Sequence, residues 1–401
     1  MNILVVSQYF YPEEFKINDL VSEFVNRGHS VTVLTGKPNY PKGEYFPGYR
    51  FGGVDEETYN GAKVIRVPLI KRGKGGLINL VMNYLSYVYY AKKYIRKHTM
   101  TFDSILCFGL SPITQAYPAL FCKRKYGGKV LLWIQDLWPE SVTAAGNIHN
   151  KAVLRTLDKM VRDIYRGCDV LLIQSEGFRD SILSKGDFAT KLLYTPNWAE
   201  DLYLKRSMHN REDISLLMPN GFRVMFAGNI GAAQNVDAII KAAAETKHIK
   251  DIKWIIVGDG RAREDVERMS VELDLSDTVF FMGRHPMAEM PNFFSLADAM
   301  IVSLKDEYIF SLTIPAKTQT YMASSKPIVA MMNGEGNRIV NEAECGLTAA
   351  AGDYKALSQN VIRLYNMTDG ERRKLGENGF RHYQRAFDKK TIVDRIINVM
   401  Q

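Results

Sequence analysis

Short apolar runs separated by longer stretches of helical spacing repeat along all 401 residues of the chain. In the first half the runs are Ile3–Ser7, Val31–Thr35, Val64–Pro68, Ile105–Phe108, Val130–Ile134, Val170–Gln174 and Leu192–Thr195. In the second half they are Arg223–Ala227, Trp254–Gly258, Val279–Met282, Ala299–Val302 and Pro327–Met331. Brief, nearly continuous apolar runs bounded by turn residues read as strands buried on both faces. Strands alternating with helical segments predict parallel sheets covered by helices, and two such series predict two doubly wound α/β domains. The change falls at Thr195-Pro196-Asn197-Trp198, where a strand gives way to turn residues. Domains of 1–197 and 198–384 are therefore expected, with a last helical segment over 385–401.

One stretch of the first half has a different pattern. From Leu77 to His98 the polar residues Asn79, Asn83, Ser86, Tyr90, Lys93 and Lys97 recur every three or four positions, drawing a narrow polar stripe on a helix whose remaining surface is greasy. The uncharged run from Gly75 to Ala91 is 17 residues with three polar side chains, short of the ~20 apolar residues that a membrane span needs. Charge sharpens the choice. Residues 63–129 carry 13 basic side chains against one acid, Asp103, whereas the chain beyond residue 200 is balanced. A field of that sign prefers a polyanion or an anionic membrane surface. Tyr84 and Tyr87 with basic flanks at Lys71, Arg72 and Lys74 before, and Lys92, Lys93, Arg96 and Lys97 after, suit the headgroup level of a membrane. A core helix with basic ends is the other reading.

Candidate chemistry concentrates in Ala297–Met331. A short strand runs into a loop with Asp306 and Glu307, and a helix is expected to start at Pro315 with Lys317 in its first turn. Free N–H groups at a helix start, with a lysine beside them, favour a phosphate. Glycines after two strands of the second series, Gly228-Asn229-Ile230-Gly231 and Gly258-Asp259-Gly260-Arg261, would let backbone approach a ligand closely. The first strand leads into Gln8-Tyr9-Phe10-Tyr11 rather than Gly-x-Gly-x-x-Gly, which argues against NAD. No Walker lysine motif and no Asp-x-Asp occurs. The four cysteines, Cys107, Cys122, Cys168 and Cys345, are scattered without metal or disulfide spacing and fit a reducing cytoplasm. The first residues, Met-Asn-Ile-Leu-Val-Val, read as a strand, so no export signal is expected.

Taken together, Asn26-Arg27-Gly28-His29-Ser30-Val31-Thr32-Val33-Leu34-Thr35, the Gly228–Gly231 turn, Val257-Gly258-Asp259-Gly260, Phe281-Met282-Gly283-Arg284 and the Ala297–Pro327 module resemble family 4 glycosyltransferases of the GT-B fold, over nearly the whole chain. Tyr11–Asn18, Lys37–Gly43, Gln135–Ser141 and Pro315-Ala316-Lys317 are similar to the WbuB-like branch, associated with N-acetyl-L-fucosamine transfer in surface polysaccharide assembly. The resemblance implies two Rossmann-like domains facing across a cleft, with the last helix crossing back to the first domain. It implies a UDP-sugar donor on the second domain, held by Gly228, Asn229, Gly258, Gly260, Arg261, Met282 and Arg284, with Glu307 reaching the donor and Lys317 holding the leaving diphosphate. On the acceptor side it implies Tyr11, Glu14, Lys16, Trp138 and Glu140, with Asp136 steering the acceptor hydroxyl or the oxocarbenium-like sugar. Retention of configuration without a metal or cofactor follows from the same resemblance. The basic window and the greasy helix point to a polyprenyl-diphosphate-linked acceptor and a peripheral, cytoplasmic place on the inner face of the plasma membrane. No nucleic acid is expected, because the basic stretch carries tyrosines on an apolar face and no groove-reading motif. The chain departs from the wider family where Asn229 replaces an arginine and Gln234 or Asn235 a lysine. A nucleotide-sugar epimerase of the same fold and a nucleic-acid-binding protein are the alternatives.

Overall fold

The computed structural model describes residues 1–73, 76–146, 150–204 and 212–401, which divide into two compact units. The first comprises Met1–Pro196 with Lys390–Gln401, and the second Asn197–Lys389.

In the first unit the strands are β1 (Asn2–Val6), β2 (Ser30–Gly36), β3 (Asp55–Tyr59), β4 (Ala62–Val67), β5 (Ser104–Gly109), β6 (Lys129–Ile134), β7 (Val170–Ile173) and β8 (Leu192–Tyr194). They form one sheet in the order β3-β4-β2-β1-β5-β6-β7-β8, parallel throughout except for β3 against β4. Ile3, Leu4, Val5 and Val6 are all shut off from solvent, as a central strand covered on both faces requires. β3 falls outside the predicted strands because Asp55, Glu56 and Glu57 give it no apolar run. It is an edge strand joined to β4 by Asn60-Gly61, whose φ values of 46° and 87° suit the tight turn of a two-residue hairpin. The last helix, Lys389–Met400, closes back on this unit. Arg27 pairs with Asp394, the Arg395 guanidinium donates to the Tyr194 carbonyl at 2.8 Å, and the Ser104 hydroxyl donates to the Met400 carbonyl.

The second unit holds β9 (Phe222–Ala227), β10 (Ile252–Val257), β11 (Val279–Gly283), β12 (Ala299–Ser303), β13 (Ile328–Met331) and β14 (Gly346–Ala349), all parallel in the order β11-β10-β9-β12-β13-β14. β14, three half-buried residues and a buried Ala349, was not expected from its pattern. Each sheet reverses its direction of growth once, between β1 and β5 in the first and between β9 and β12 in the second. Crevices beyond the carboxyl ends of strands at such a reversal are where open α/β sheets bind ligands.

Helix Leu77–Lys97 buries Asn83 and Ser86 along with Tyr87, Ala91, Tyr94 and Ile95, and leaves an apolar face outside. The middle of its polar stripe points inward while Asn79, Lys93 and Lys97 stay exposed: the Gln8 amide donates to Asn83 Oδ1 at 2.7 Å, Asn83 Nδ2 donates to the Ile70 carbonyl, and the Ser86 hydroxyl accepts from the Ile70 N–H at 3.0 Å. Leu77, Ile78, Val81, Met82, Leu85 and Tyr89 are left facing solvent, with Ile78 78 % exposed. Tyr87, expected among these outward residues, is instead fully buried and donates to the Leu34 carbonyl at 2.8 Å. It follows the inward stripe because it stands four residues from Asn83. Among the described residues no helix is long and apolar enough to cross a membrane.

Removing the buried amide leaves Gln8 Nε2 and the Ile70 carbonyl without their partner. Asn83→Ala should therefore lower the unfolding free energy by about 1–3 kcal/mol, whereas Leu85→Ser, on the exposed face, should stay within ~0.5 kcal/mol of the parent. Chemical denaturation of the two variants checks that orientation.

Candidate functional site

The second unit gathers candidate residues at the carboxyl ends of β9, β10 and β11. The turns beyond these strands are tied by backbone hydrogen bonds, from the Gly228 N–H to the Val257 carbonyl at 2.9 Å and from the Gly258 N–H to the Gly283 carbonyl at 2.7 Å. Gly228 and Gly258 have φ values of 137° and 140°, and a β-carbon on Gly258 would stand 1.9 Å from the Gly228 carbonyl oxygen. Gly260 is as constrained, at 2.3 Å from the Ile230 carbonyl oxygen. These glycines are required by the close approach of three turns. Asn229 is exposed beside them, its amide donating to Gln234 at 3.4 Å. Arg261 and Arg284 are exposed after β10 and β11, and Met282 packs partly buried on the core.

Helix Ala316–Ala323 approaches the same turns. It begins one residue later than predicted: Pro315 is extended at φ −62°, ψ 134° and occupies the cap, with no side chain capping the first N–H groups. The Tyr321 hydroxyl bridges the backbone N–H and carbonyl of Ala227, each at 3.2 Å, and fastens the helix to the end of β9. Lys317 lies one turn earlier on that face. A β-carbon on Gly228 would meet Lys317 Cε at 2.6 Å, so glycine at 228 is what lets the lysine in.

Lys317 is not the solvated lysine that its place in a first turn suggested. Its Nζ is closed off from solvent and has no hydrogen-bond partner among the described residues, and it sits 3.7 Å from the centre of the Phe226 ring. Burial alone pushes its pKa down to about 7. A ring face returns ~2 kcal/mol to a desolvated cation, less than the several kcal/mol an ion loses on leaving water. The ammonium is thus under-compensated, beside uncapped N–H groups that favour an anion; the glycines expected to let backbone approach a ligand instead make room for Lys317 and for one another's turns. Glu307 is exposed and caps the short helix Tyr308–Ser311 through its carbonyl, not its carboxylate. The loop carrying it is held to the β9 turn by the Lys305 N–H donating to the Ala233 carbonyl at 2.9 Å.

The first unit gathers a separate constellation at the carboxyl ends of its own strands. Asp136, beyond β6, accepts from the Ser111 N–H at 2.8 Å, and burial pushes its carboxyl up against the hydrogen bonds from Ser111. Trp138 is buried and donates its indole N–H to the Ser111 hydroxyl at 2.9 Å, so it supports Asp136 and is no open platform. Glu140 is likewise occupied, accepting from the Ser181 hydroxyl at 2.6 Å and Lys185 Nζ at 2.8 Å. Tyr11 is half exposed with its ring 4.9 Å from that of Tyr59, Glu14 is exposed, and Lys16 opens helix Lys16–Asn26.

The neighbour of Glu14 has the structural part. Glu13 is buried and accepts from the N–H groups of Phe10 at 3.1 Å and of Asn39 and Tyr40 at 2.8 Å each, tying the loops after β1 and β2 together, and burial raises its carboxyl to about 7. Nothing in Pro12-Glu13-Glu14-Phe15 separates the two glutamates by type. Of the basic flanks, Lys71 pairs with Glu44 at 2.5 Å, Lys92 lies over Tyr117, Lys93 over Tyr89 and Arg96 over Phe121, and Lys97 is exposed; Lys74 lies outside the described residues.

Residues 221–367 match the family described as "Glycosyl transferases group 1". The chain is 26% identical over 318 residues to "Probable glycosyltransferase WbjE" of Pseudomonas aeruginosa, covering 78% of this chain and 76% of that one. It is 25% identical over 279 residues, 67% of this chain and 69% of the relative, to a Campylobacter jejuni N-acetylgalactosamine-N,N'-diacetylbacillosaminyl-diphospho-undecaprenol 4-alpha-N-acetylgalactosaminyltransferase. Among solved structures it resembles sucrose-phosphate synthase of Thermosynechococcus elongatus, with a TM-score of 0.78 at 17% identity over 99% of this chain and 98% of that one. It also resembles Anabaena HepE in complex with UDP, with a TM-score of 0.73 at 15% identity over 100% and 99%.

Lys317 gives a sign that can be checked without a substrate. Its folded pKa, about 7, lies below its ordinary 10.5, so the unfolded chain binds more protons between those values and the lysine's burial penalty shrinks as pH rises through that window. Lys317→Met should raise Tm at or below pH 7, by on the order of 3 °C for each kcal/mol of penalty removed. That advantage should fade toward pH 10, as read by thermal melts of both proteins across the range.

Proposed function

We propose, for a chain that is a glycosyltransferase with the two-domain GT-B fold, that it moves a UDP-activated sugar onto a lipid-diphosphate-linked acceptor in surface polysaccharide assembly. The observation that carries the reading is Lys317, an ammonium without a hydrogen-bond acceptor among the described residues, set against the glycine turns of the second unit. Breaking a glycosyl–diphosphate bond develops positive charge on the sugar ring and negative charge on the leaving oxygens. Lys317 and the uncapped N–H groups of helix Ala316–Ala323 answer the second, and one well-aimed donor of this kind is worth ~3 kcal/mol in a transition state. Asn229 and Gln234 leave that turn uncharged, so more of the diphosphate charge falls to Lys317, with Arg261 exposed after the next strand. Asp136 is the carboxylate of the first unit suited to orienting the acceptor hydroxyl. The sugar proposed is N-acetyl-L-fucosamine or a related N-acetylated deoxy sugar, transferred with retention and without a metal.

The lipid-linked acceptor is supported by helix Leu77–Lys97, whose exposed Leu77, Ile78, Val81, Met82, Leu85 and Tyr89 lie between basic segments. Such a face with its cations enters the headgroup region of an anionic bilayer. The Campylobacter relative, named for a diphospho-undecaprenol acceptor, is consistent with this chemistry.

Thermal shift against UDP-, GDP- and dTDP-sugars tests the donor half. Saturation at 100 times the dissociation constant should stabilise the wild type by about 2.7 kcal/mol, with UDP and one UDP-sugar selected, and Lys317→Met should lose most of that response. A wild-type protein indifferent to every nucleotide would sink the reading. For the membrane half, Leu85→Glu should lower co-sedimentation with phosphatidylglycerol vesicles several-fold while leaving the UDP response intact.

A further inference from the structure

Arg72 stands apart from the other basic residues of its window. Its guanidinium carbon lies 5.2 Å from the centre of the Tyr40 ring and 5.9 Å from that of Tyr9, and its Nη1 donates to the Tyr9 hydroxyl at 3.2 Å. Tyr9, Phe15 and Tyr40 pack mutually, with ring centres 5.4–5.7 Å apart. The backbone is equally constrained: the Arg72 N–H donates to Asn39 Oδ1 at 3.0 Å, and the Gly73 N–H to the Gly43 carbonyl at 2.9 Å. Among the described residues no carboxylate pairs with this guanidinium, although two are close enough to be felt by the tyrosines around it. Both are spent elsewhere, Glu13 on three backbone N–H groups and Asp136 on Ser111. Lys71, by contrast, has its own partner in Glu44.

A half-buried guanidinium fixed by ring faces and a hydroxyl, with planar donors left over and no carboxylate, is arranged to receive a phosphate or diphosphate in a forked geometry. The Tyr9 hydroxyl, its pKa raised chiefly by burial, keeps its proton and can turn it to the same anion. Position agrees with the chemistry. Arg72 precedes helix Leu77–Lys97 with its exposed apolar face.

We infer that Arg72, held against the packed rings of Tyr9 and Tyr40, is the receptor for the anionic diphosphate of the acceptor, just ahead of the helix that carries the exposed apolar face. This rests on the lipid-diphosphate reading proposed above and assigns Arg72 to the substrate, not to the membrane surface where its place among basic flanks had put it.

Farnesyl diphosphate, farnesol and inorganic pyrophosphate are the probes, titrated into the full-length protein by intrinsic fluorescence. The wild type should bind farnesyl diphosphate far more tightly than farnesol, and pyrophosphate should compete. Arg72→Gln should weaken farnesyl diphosphate and pyrophosphate alike by roughly 10- to 100-fold, with farnesol unchanged. Arg72→Lys, which keeps the charge but not the fork, should fall between, and it serves if the glutamine variant folds poorly. An unchanged UDP thermal shift in each variant separates this test from the transferase reading. Arg72→Gln binding farnesyl diphosphate as the wild type does, with the UDP shift intact, overturns the assignment and leaves the transferase standing. So does a variant that loses binding to phosphatidylglycerol vesicles while sparing farnesyl diphosphate, since Arg72 would then be a membrane anchor. A wild type that binds neither farnesyl diphosphate nor pyrophosphate removes the lipid-diphosphate reading and this inference together.

Discussion

An ammonium ion withdrawn from water with only a ring face beneath it is a costly arrangement, and the second unit is organised around keeping it. Tyr321 pins helix Ala316–Ala323 to Ala227, Gly228 gives up its side chain so that the Lys317 stem can pass, and Gly258 yields in turn to the Gly228 carbonyl. None of these residues need touch a ligand. Their common effect is to hold a lysine whose charge no hydrogen bond balances among the described residues, which is the arrangement that the proposed binding of a diphosphate would use. Loss of apo stability is the counterpart, as expected where a site is kept ready in advance.

The first unit applies a related logic to a whole helix. A surface helix ordinarily buries its apolar face and wets its polar one. Here Asn83 and Ser86 are turned inward because the ends of β1 and β4 present polar groups that must be paired once buried: the Gln8 amide and the backbone of Ile70. Satisfying them fixes the helix rotation, and the greasy face is left outward as a consequence. The exposed patch is therefore anchored by hydrogen bonds beneath it, and sliding or rotating the helix to hide it would break them.

The architecture was legible because doubly wound sheets write themselves as apolar runs; both departures, β3 and β14, lack that run. β3 could have been found through Asn60-Gly61, a hairpin signal in front of β4. The glycine turns and Lys317 were also readable, since strand–glycine and proline–lysine at a helix start carry their geometry locally. What sequence could not convey was environment. Lys317 and a solvated lysine are written the same way, Glu13 and Glu14 differ only in which carboxylate the loops close over, and the polar stripe of helix Leu77–Lys97 gives a period but not a direction. Trp138 and Glu140 sit beside Asp136 in sequence and were grouped with it, yet their side chains are engaged by Ser111, Ser181 and Lys185.

Lysine in one unit and arginine in the other also differ in what burial can do to them. Lys317 adapts: its pKa has fallen to about 7, so near neutrality the charge can be surrendered when no anion is present and regained when one binds. Arg72 has no such freedom, since a guanidinium stays protonated in proteins, and its cost is met by rings that stack on its face. The distinction matches the charges proposed for each. A leaving diphosphate acquires its last negative charge only as the glycosyl bond breaks and must then depart, which suits a cation that strengthens with the anion and weakens without it. An acceptor diphosphate keeps its charge before, during and after transfer, and a permanent, geometrically fixed cation holds it in register throughout.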